Sequence, residues 1–173
     1  YHTVTVSNGW VTIKQSSSSS EGFTYSTSTV GTLTILEYYG EAYTSPDLDW
    51  LYFGYGDVTN AIGIFTIDAT WYFRTSSATD TNINNFGGAN HSIKFERIDT
   101  TGGAKAYIDG VLKATHTNAR TDATNIVLLQ SRPDTSHYAK WDWVRVRKYA
   151  NPEPTTSIGA EETANQPPVF NDV

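Results

Sequence analysis

Aromatic side chains are the residues of this sequence best suited to binding a ligand. The 173 residues include 5 Trp, 11 Tyr and 7 Phe. Trp and Tyr rings exposed on a sheet offer flat platforms for sugar rings, and neighbouring Arg, Asn and Gln side chains supply hydrogen bonds. The strands that carry these rings decide which of them face solvent.

The first candidate sugar-binding residues come from segment 49–55 (DWLYFGY), once it is decided which of its alternate side chains face the core. Successive side chains of a strand point to opposite faces of the sheet. Aliphatic and Phe side chains are those most often buried. If Leu51 and Phe53 are buried, Trp50 and Tyr52 face out; the opposite phase would expose the aspartates of this region and Tyr55 instead. We predict the first phase.

The same reasoning applied to two later strands completes the candidate set. Inward Trp71 and Phe73 leave Tyr72 and Arg74 outside, and inward Ile93 and Phe95 leave Lys94 and Glu96 outside. Each outward residue could also be plain surface. The predicted carbohydrate-binding residues are Trp50, Tyr52, Tyr72, Arg74 and Glu96.

Other chemistry has less support in the sequence. Glu37 and Glu41 flank Gly40 and could share a strand face only if no bulge intervenes; they are then either a catalytic pair or a solvated strand end. The histidines show no metal-ligand spacing, so no zinc site is predicted; they are His2, His91, His116 and His137.

Composition excludes several classes of protein. The chain has no cysteine, which rules out a disulfide scaffold and thiolate metal sites. Its formal net charge of −6 disfavours nonspecific nucleic-acid binding, which depends on a basic surface. No apolar run reaches the ~18 residues of a transmembrane helix, so membrane insertion is not expected.

One basic segment needs a separate interpretation. In segment 140–148 cationic side chains interleave with Trp141 and Trp143, as in a nucleic-acid-binding strip. Because the whole chain is acidic, we favour an exposed sheet face on which arginine stems pack against tryptophan.

Period-two alternation dominates the chain, and no segment has helical periodicity. Asn8-Gly9 and Asp109-Gly110 each stand between two alternating segments, which is the strongest short-range signal for a β-hairpin. About eleven or twelve short strands spaced about ten residues apart predict an all-β, two-sheet antiparallel β-sandwich.

The composition changes after Tyr149. Residues 1–150 form the predicted sandwich, and the small, polar, proline-containing residues 151–167 read as a linker. Residues 168–173 (PVFNDV) look like the start of a following domain, so we expect neighbouring domains in the same chain.

An ordered set of segments carries a family resemblance. Asn8-Gly9 with WVTI, then AYIDGV at 106–111, then DWVRVRKY at 142–149 occur in the order seen in laminin-G-like, concanavalin A-like jelly-roll modules. This chain resembles such modules from archaeal or bacterial surface and secreted multidomain proteins. The resemblance implies an extracellular or cell-surface location and a role in recognising a polysaccharide or surface glycan, or in adhesion.

The same fold houses laminarinase- and lichenase-type glycoside hydrolases, whose final strand is similar to segment 142–149. Those enzymes carry Glu-x-Asp-x-Glu on one strand, because retaining hydrolysis needs two carboxyl groups about 5 Å apart. Asp47 and Asp49 could occupy the first two positions here, but the third is Leu51. We therefore expect a noncatalytic module.

The resemblance also implies a calcium site. In the hydrolases the aspartate that opens the final strand binds calcium together with backbone carbonyls, and Asp142 stands at the matching position. The carbonyl of Gly31 is a plausible partner, since calcium prefers hard oxygen ligands. The alternative is that Asp142 accepts a hydrogen bond from a neighbouring loop.

Three functions remain open at this point. The favoured one is a noncatalytic carbohydrate-binding module. The alternative is a structural or adhesive module of a surface protein or filament that takes no small ligand, and a glycoside hydrolase ranks third.

Overall fold

The computed structural model describes residues 2–43, 50–57, 61–67, 70–75, 79–84, 86 and 88–152. These residues form thirteen β-strands and no helix, so none of them belongs to a helix that could cross a membrane. The strands pair antiparallel in two sheets of seven and six strands. The predicted all-β, two-sheet antiparallel β-sandwich is confirmed.

The larger sheet has the order β1-β2-β13-β4-β9-β10-β11. Its strands, in chain order, are β1 (His2–Ser7), β2 (Trp10–Gln15), β4 (Thr34–Tyr43), β9 (His91–Arg97), β10 (Ala104–Ile108), β11 (Val111–His116) and β13 (Tyr138–Lys148).

The smaller sheet has the order β3-β12-β5-β6-β7-β8. Its strands are β3 (Gly22–Val30), β5 (Leu51–Tyr55), β6 (Ile62–Ile67), β7 (Thr70–Thr75), β8 (Thr79–Asn82) and β12 (Thr124–Ser131).

Both predicted hairpin turns are present. Asn8 and Gly9 have φ of 52° and 83°, and Asp109 and Gly110 have φ of 51° and 76°. Two consecutive positive φ values define the turn that matches the twist of a hairpin, and Asn, Asp and Gly tolerate them best. The turns connect β1 to β2 and β10 to β11.

The main core lies between the sheets and is rich in aromatic rings. Tyr38 and Trp141 from the larger sheet pack around Phe53 from the smaller sheet, with ring centroids 5.4 and 5.0 Å from that of Phe53. Their polar atoms also cross between the sheets. The Tyr38 hydroxyl donates to the Val127 carbonyl at 2.7 Å, and Trp141 Nε1 donates to the Leu128 carbonyl at 3.0 Å.

The sandwich ends with β13. The amide of Tyr149 donates to the Leu33 carbonyl at 2.8 Å, which ties the end of the last strand to the start of β4. The linker predicted from residue 151 and the following domain predicted from residue 168 lie almost entirely outside the described residues, and both stay predictions.

Candidate functional site

Four of the five predicted carbohydrate-binding residues lie on one surface. Leu51 and Phe53 face the core between the sheets, so Trp50 and Tyr52 lie on the opposite, outer face of the smaller sheet. Through the register of β5, β6 and β7, Tyr72 and Arg74 share that face.

The expected exposure of Trp50 and Tyr52 is wrong. Trp50 is 8% exposed and Tyr52 is fully buried, in a second apolar cluster with Phe65. Two paired glycines explain the burial of Tyr52. A Cβ on Gly54 would lie 2.9 Å from Tyr52 Oη, and one on Gly63 would lie 2.8 Å from its Cε2. The Tyr52 ring therefore packs against the two glycines, in space that a side chain at either position would fill. Its hydroxyl donates to the Tyr55 carbonyl.

Arg74 and Tyr72 are also engaged by their own sheet. Arg74 makes a two-point ion pair with Asp80, with both N–O distances 2.7 Å, and its guanidinium lies 3.8 Å from the centroid of the Phe65 ring. Tyr72 is half-buried against the same apolar cluster.

Two aromatic residues that the sequence analysis did not select lie on this face and are more exposed than Trp50 and Tyr52. Phe23 and Tyr25 are 41% and 53% exposed on β3, with ring centroids 4.9 Å apart. Their strand pairs with β12, and β12 with β5, so that both rings lie on the same side as Tyr52.

Glu96 lies on the other side of the molecule. Its strand, β9, belongs to the larger sheet, so an outward side chain there points away from the smaller sheet. Glu96 is 4% exposed, 2.7 Å from Lys94 Nζ, and accepts a hydrogen bond from the Tyr107 hydroxyl at 3.1 Å. The five predicted residues therefore do not form one site. The alternation of side chains shows which residues of a strand face outward, but not which of the two sheets the strand belongs to.

The outer face of the larger sheet carries a set of aromatic residues that the sequence analysis did not select. We call it the aromatic ladder; its members are Trp10, Tyr39, Tyr43, Tyr138 and Trp143. Along the pairing of β4 with β13, aromatic and charged rungs alternate on this face. The rungs are Tyr43 with Tyr138, Glu41 with Lys140, Tyr39 with Trp143, and Glu37 with Arg145.

The rings of the ladder are close to parallel within each rung. Tyr39 and Trp143 have centroids 6.1 Å apart and planes 19° apart, and Tyr43 and Tyr138 have centroids 5.5 Å apart and planes 19° apart. Trp10 extends the ladder towards β2, with its centroid 6.3 Å from that of Tyr39. Trp143 and Tyr43 are each 37% exposed. The ladder thus presents aromatic surface to solvent on the side away from the core.

Cationic side chains hold these rings in place. Lys140 Nζ lies 4.6 Å from the Trp10 centroid, and the Arg145 guanidinium lies 4.9 Å from the Trp143 centroid. Both distances are within the range of attractive cation–π contacts. The packing of Arg145 on Trp143 agrees with the interpretation of segment 140–148 as a sheet face.

Glu37 anchors the same cations from the neighbouring strand. Arg145 Nε and Arg147 Nε lie 2.5 and 3.3 Å from Glu37 Oε2. Burial alone would raise the pKa of Glu37, but the hydrogen bonds from the two arginines bring it below its ordinary value. Glu37 is therefore ionised at neutral pH and is a partner for guanidinium groups rather than a proton donor.

Glu37 and Glu41 do share a face, with Tyr39 between them. Four residues along a strand put the two Cα atoms about 13 Å apart. The Glu37 carboxylate is held by Arg145 and Arg147, whereas that of Glu41 accepts a hydrogen bond from the Tyr138 hydroxyl at 3.4 Å, in the opposite direction along the strand. Carboxylates placed in this way do not approach the separations of about 5 Å or about 6.5–9.5 Å that retaining and inverting hydrolases use. The pair does not have hydrolase geometry.

The structure does not bring the two predicted calcium ligands together. Asp142 is exposed opposite Tyr39 and Gly40 in the second half of β4, whereas Gly31 precedes the start of β4, where Thr34 pairs with Lys148. Five residues of strand separate Tyr39 from Thr34, or about 17 Å. The Gly31 carbonyl accepts hydrogen bonds from Arg97 Nη1 at 2.9 Å and from the Thr34 hydroxyl at 3.0 Å.

The separation of Asp142 from Gly31 along the strand does not support these two residues as ligands of one calcium ion. No group of three or more His, Cys, Asp or Glu suited to a metal occurs within the described residues. Calcium binding by this chain stays a prediction without an assigned site.

Leu51 is the residue at the position of the third carboxylate of the hydrolase motif. Leu51 is fully buried and faces the core, while the outward positions of this region hold Trp50, Tyr52 and Gly54, none of which is a carboxylate. Asp47 and Asp49 lie outside the described residues.

Comparison with known proteins shows the fold. No protein-family model matches the chain, and no curated protein matches it. A sialidase structure is 12% identical with a TM-score of 0.63; the match covers 86% of this chain but only 16% of the sialidase.

Two further structures are matched over most of both chains. A β-glucanase from Bacillus licheniformis is 19% identical with a TM-score of 0.59, over 84% of this chain and 82% of that one. Carbohydrate-binding module CBM66 from Bacillus subtilis is 12% identical with a TM-score of 0.56, over 86% of this chain and 92% of that one. The chain therefore has the concanavalin A-like jelly-roll fold, with distant structural similarity to the β-glucanase and to the carbohydrate-binding module.

Proposed function

We propose that this chain is a noncatalytic carbohydrate-binding module that holds a glycan against the aromatic ladder of the larger sheet. The observation that carries the proposal is the Tyr39–Trp143 rung, whose rings are 19° from parallel and partly exposed on the face away from the core. Flat aromatic surface beside charged hydrogen-bonding groups suits a sugar ring, which has apolar faces and a rim of hydroxyl groups.

The rings of the aromatic ladder take no part in the core of the sandwich. The core between the sheets contains Trp141 and Tyr38, on the other side of the larger sheet. Cross-strand aromatic pairs contribute only about 0.2–1 kcal/mol to a sheet. The same rungs also stabilise the pairing of β4 with β13, and ligand binding is proposed as their role beyond that.

The positions of Glu37, Glu41 and Leu51 support a noncatalytic role. Glu37 and Glu41 are too far apart to act as a pair, Glu37 is held by two arginines, and Leu51 faces the core. The fold neighbours include a carbohydrate-binding module as well as glycosidases, so a binding role is compatible with the architecture. The proposal includes an extracellular or cell-surface location.

Affinity electrophoresis through gels containing single polysaccharides tests this function, with a reducing-sugar assay on the same polymers. We expect retarded migration in at least one gel and no release of reducing ends. Migration unaffected by every polysaccharide would contradict the binding role, and release of reducing ends would contradict its noncatalytic character.

A further inference from the structure

The charge of the aromatic-ladder face differs in sign from that of the chain. The formal net charge of the whole sequence is −6. On the outer face of the larger sheet, however, cations outnumber carboxylates. The cations are Lys14, Lys94, Lys105, Lys140, Arg145 and Arg147, and the carboxylates are Glu37, Glu41, Glu96 and Asp142, which is exposed in the bulge beside Trp143. A ligand that approaches this face meets a locally positive surface.

Cations lie directly beside the rings that would hold a sugar. Lys140 and Arg145 each contact a tryptophan of the ladder, and the Arg145 side chain is 61% exposed. A negative group attached to a sugar stacked on Trp143 would therefore lie within reach of a guanidinium.

A pocket lined by threonine side chains, which expose mainly their methyl groups, and by Lys14 adjoins the Tyr138 end of the ladder. It has a volume of about 370 Å³, and its lining includes Thr3, Thr5, Thr12 and Lys14. Lys14 is paired with Tyr138 and Thr12 with Lys140, so the pocket lies next to the ladder on the same face. The Lys14 ammonium group is a suitable donor for a carboxylate or sulfate.

We propose that the ligand of the aromatic ladder is an acidic polysaccharide, with carboxylate or sulfate groups along its chain. This inference rests on the proposed function, because it names the class of glycan that the same surface takes. Sugar rings stack on the aromatic rungs, while the acidic groups lie over the cations between them and in the pocket around Lys14.

The interleaved carboxylates favour a glycan over a nucleic acid. Glu41 and Glu37 occupy the rungs on either side of Tyr39 and Trp143. Duplex DNA carries one charge per ~1.7 Å of its axis, so these carboxylates would repel neighbouring phosphates. Sugar hydroxyls, by contrast, can donate hydrogen bonds to them.

Pairs of polymers with a common backbone test the inference. We would compare polygalacturonate with its methyl ester, dextran sulfate with dextran, and duplex DNA, each by affinity electrophoresis. We expect the protein to bind at least one acidic member at least ~10-fold more tightly than its neutral partner. We also expect binding to weaken as the salt concentration rises from about 0.05 to about 0.5 M, over which the screening length shortens about threefold.

Paired variants locate the surface. Lys14→Gln combined with Lys140→Gln removes two cations from the ladder face and should weaken acidic-polymer binding by roughly 3- to 30-fold. Arg132→Gln is the matched control, because Arg132 lies over Trp50 on the outer face of the smaller sheet. It should bind like the wild type, and circular dichroism should show that all variants are folded.

The outcomes separate the two proposals. Preference for the neutral polymers would overturn the acidic class and leave the carbohydrate-binding function standing, whereas binding to no polysaccharide would overturn both. DNA binding as tight as that of the acidic polysaccharides would overturn the assignment to a glycan. Loss of binding in the Arg132 variant with retention in the lysine variant would overturn the choice of face.

Discussion

Trp141 and Trp143 are two residues apart on one strand, yet they face opposite sides of the larger sheet. Trp141 is 2% exposed in the core, while Trp143 stacks on Tyr39 at the outer surface. The register shifts between them, which marks a bulge at Asp142. An extra residue in one strand reverses which face the following side chains occupy. The bulge thus turns the charged and aromatic half of β13 outward.

Gly40 is the partner position that permits this bulge. Its φ is 153°, and a Cβ there would lie 2.0 Å from the Lys140 carbonyl oxygen. We predict that Gly40→Ala lowers the free energy of unfolding by about 2 kcal/mol or more, from backbone strain and steric overlap. Urea denaturation measures the loss. Gly31→Ala is the control, because nothing lies within 4 Å of the added Cβ; an equal loss in both variants would contradict the account.

The hydrogen bond from Tyr38 to the Val127 carbonyl should contribute measurably to stability. Both residues are fully buried, and the O–O distance is 2.7 Å. Tyr38→Phe leaves that carbonyl without this donor, so we expect a loss of about 1–2 kcal/mol in urea denaturation. Tyr25→Phe alters a Tyr that is 53% exposed and should leave stability within about 0.5 kcal/mol of the wild type. A Tyr38→Phe variant as stable as the wild type would show that the bond contributes nothing.

His2 should make the sandwich sensitive to mild acid. Burial, the N-terminal charge and His137 lower its pKa to about 4, and its ring nitrogens contact the hydroxyls of Thr24 and Ser131 at 2.7 and 3.1 Å. The unfolded chain, with an ordinary His pKa of about 6.5, binds this proton more readily than the folded chain. Stability is therefore full above about pH 6.5 and falls as the pH drops towards 4.

Urea midpoints between pH 7 and pH 4.5 measure this effect. We expect His2→Gln to lose less stability than the wild type over that interval, because Gln has no proton to bind. His116, whose pKa burial also lowers, should account for part of the remaining loss. Equal losses in the variant and the wild type would show that His2 does not cause the acid sensitivity.

Local structure could be predicted from the sequence because it depends on neighbouring residues. The two hairpin turns follow from Asn-Gly and Asp-Gly, and the burial of Leu51, Trp71 and Phe95 follows from period-two alternation. Glu96 points away from the core as predicted, but on the other sheet from Tyr52 and Tyr72. Sheet membership depends on pairing between distant strands, and alternation within one segment carries no information about it.

Two features of the candidate site depend on contacts that the alternation pattern hides. The bulge at Asp142 interrupts the alternation of side chains, so the sequence pattern alone would put Trp141 and Trp143 on the same face of the sheet. Tyr52 is buried because its ring fits over Gly54 and Gly63, and Gly63 lies on another strand. Paired glycines on adjacent strands beside an aromatic residue are the signal that could have indicated this burial.

The most direct test of the account compares one aromatic residue on each face of the sandwich. Isothermal titration calorimetry would measure the affinity of the wild type, Trp143→Ala and Tyr25→Ala for the polysaccharide that retards the protein most. We predict that Trp143→Ala binds at least ~10-fold more weakly, the scale expected for removing an aromatic anchor. Tyr25→Ala should bind like the wild type, with both variants folded by circular dichroism. Unchanged affinity in Trp143→Ala together with lost affinity in Tyr25→Ala would contradict the account and place the binding surface on the smaller sheet.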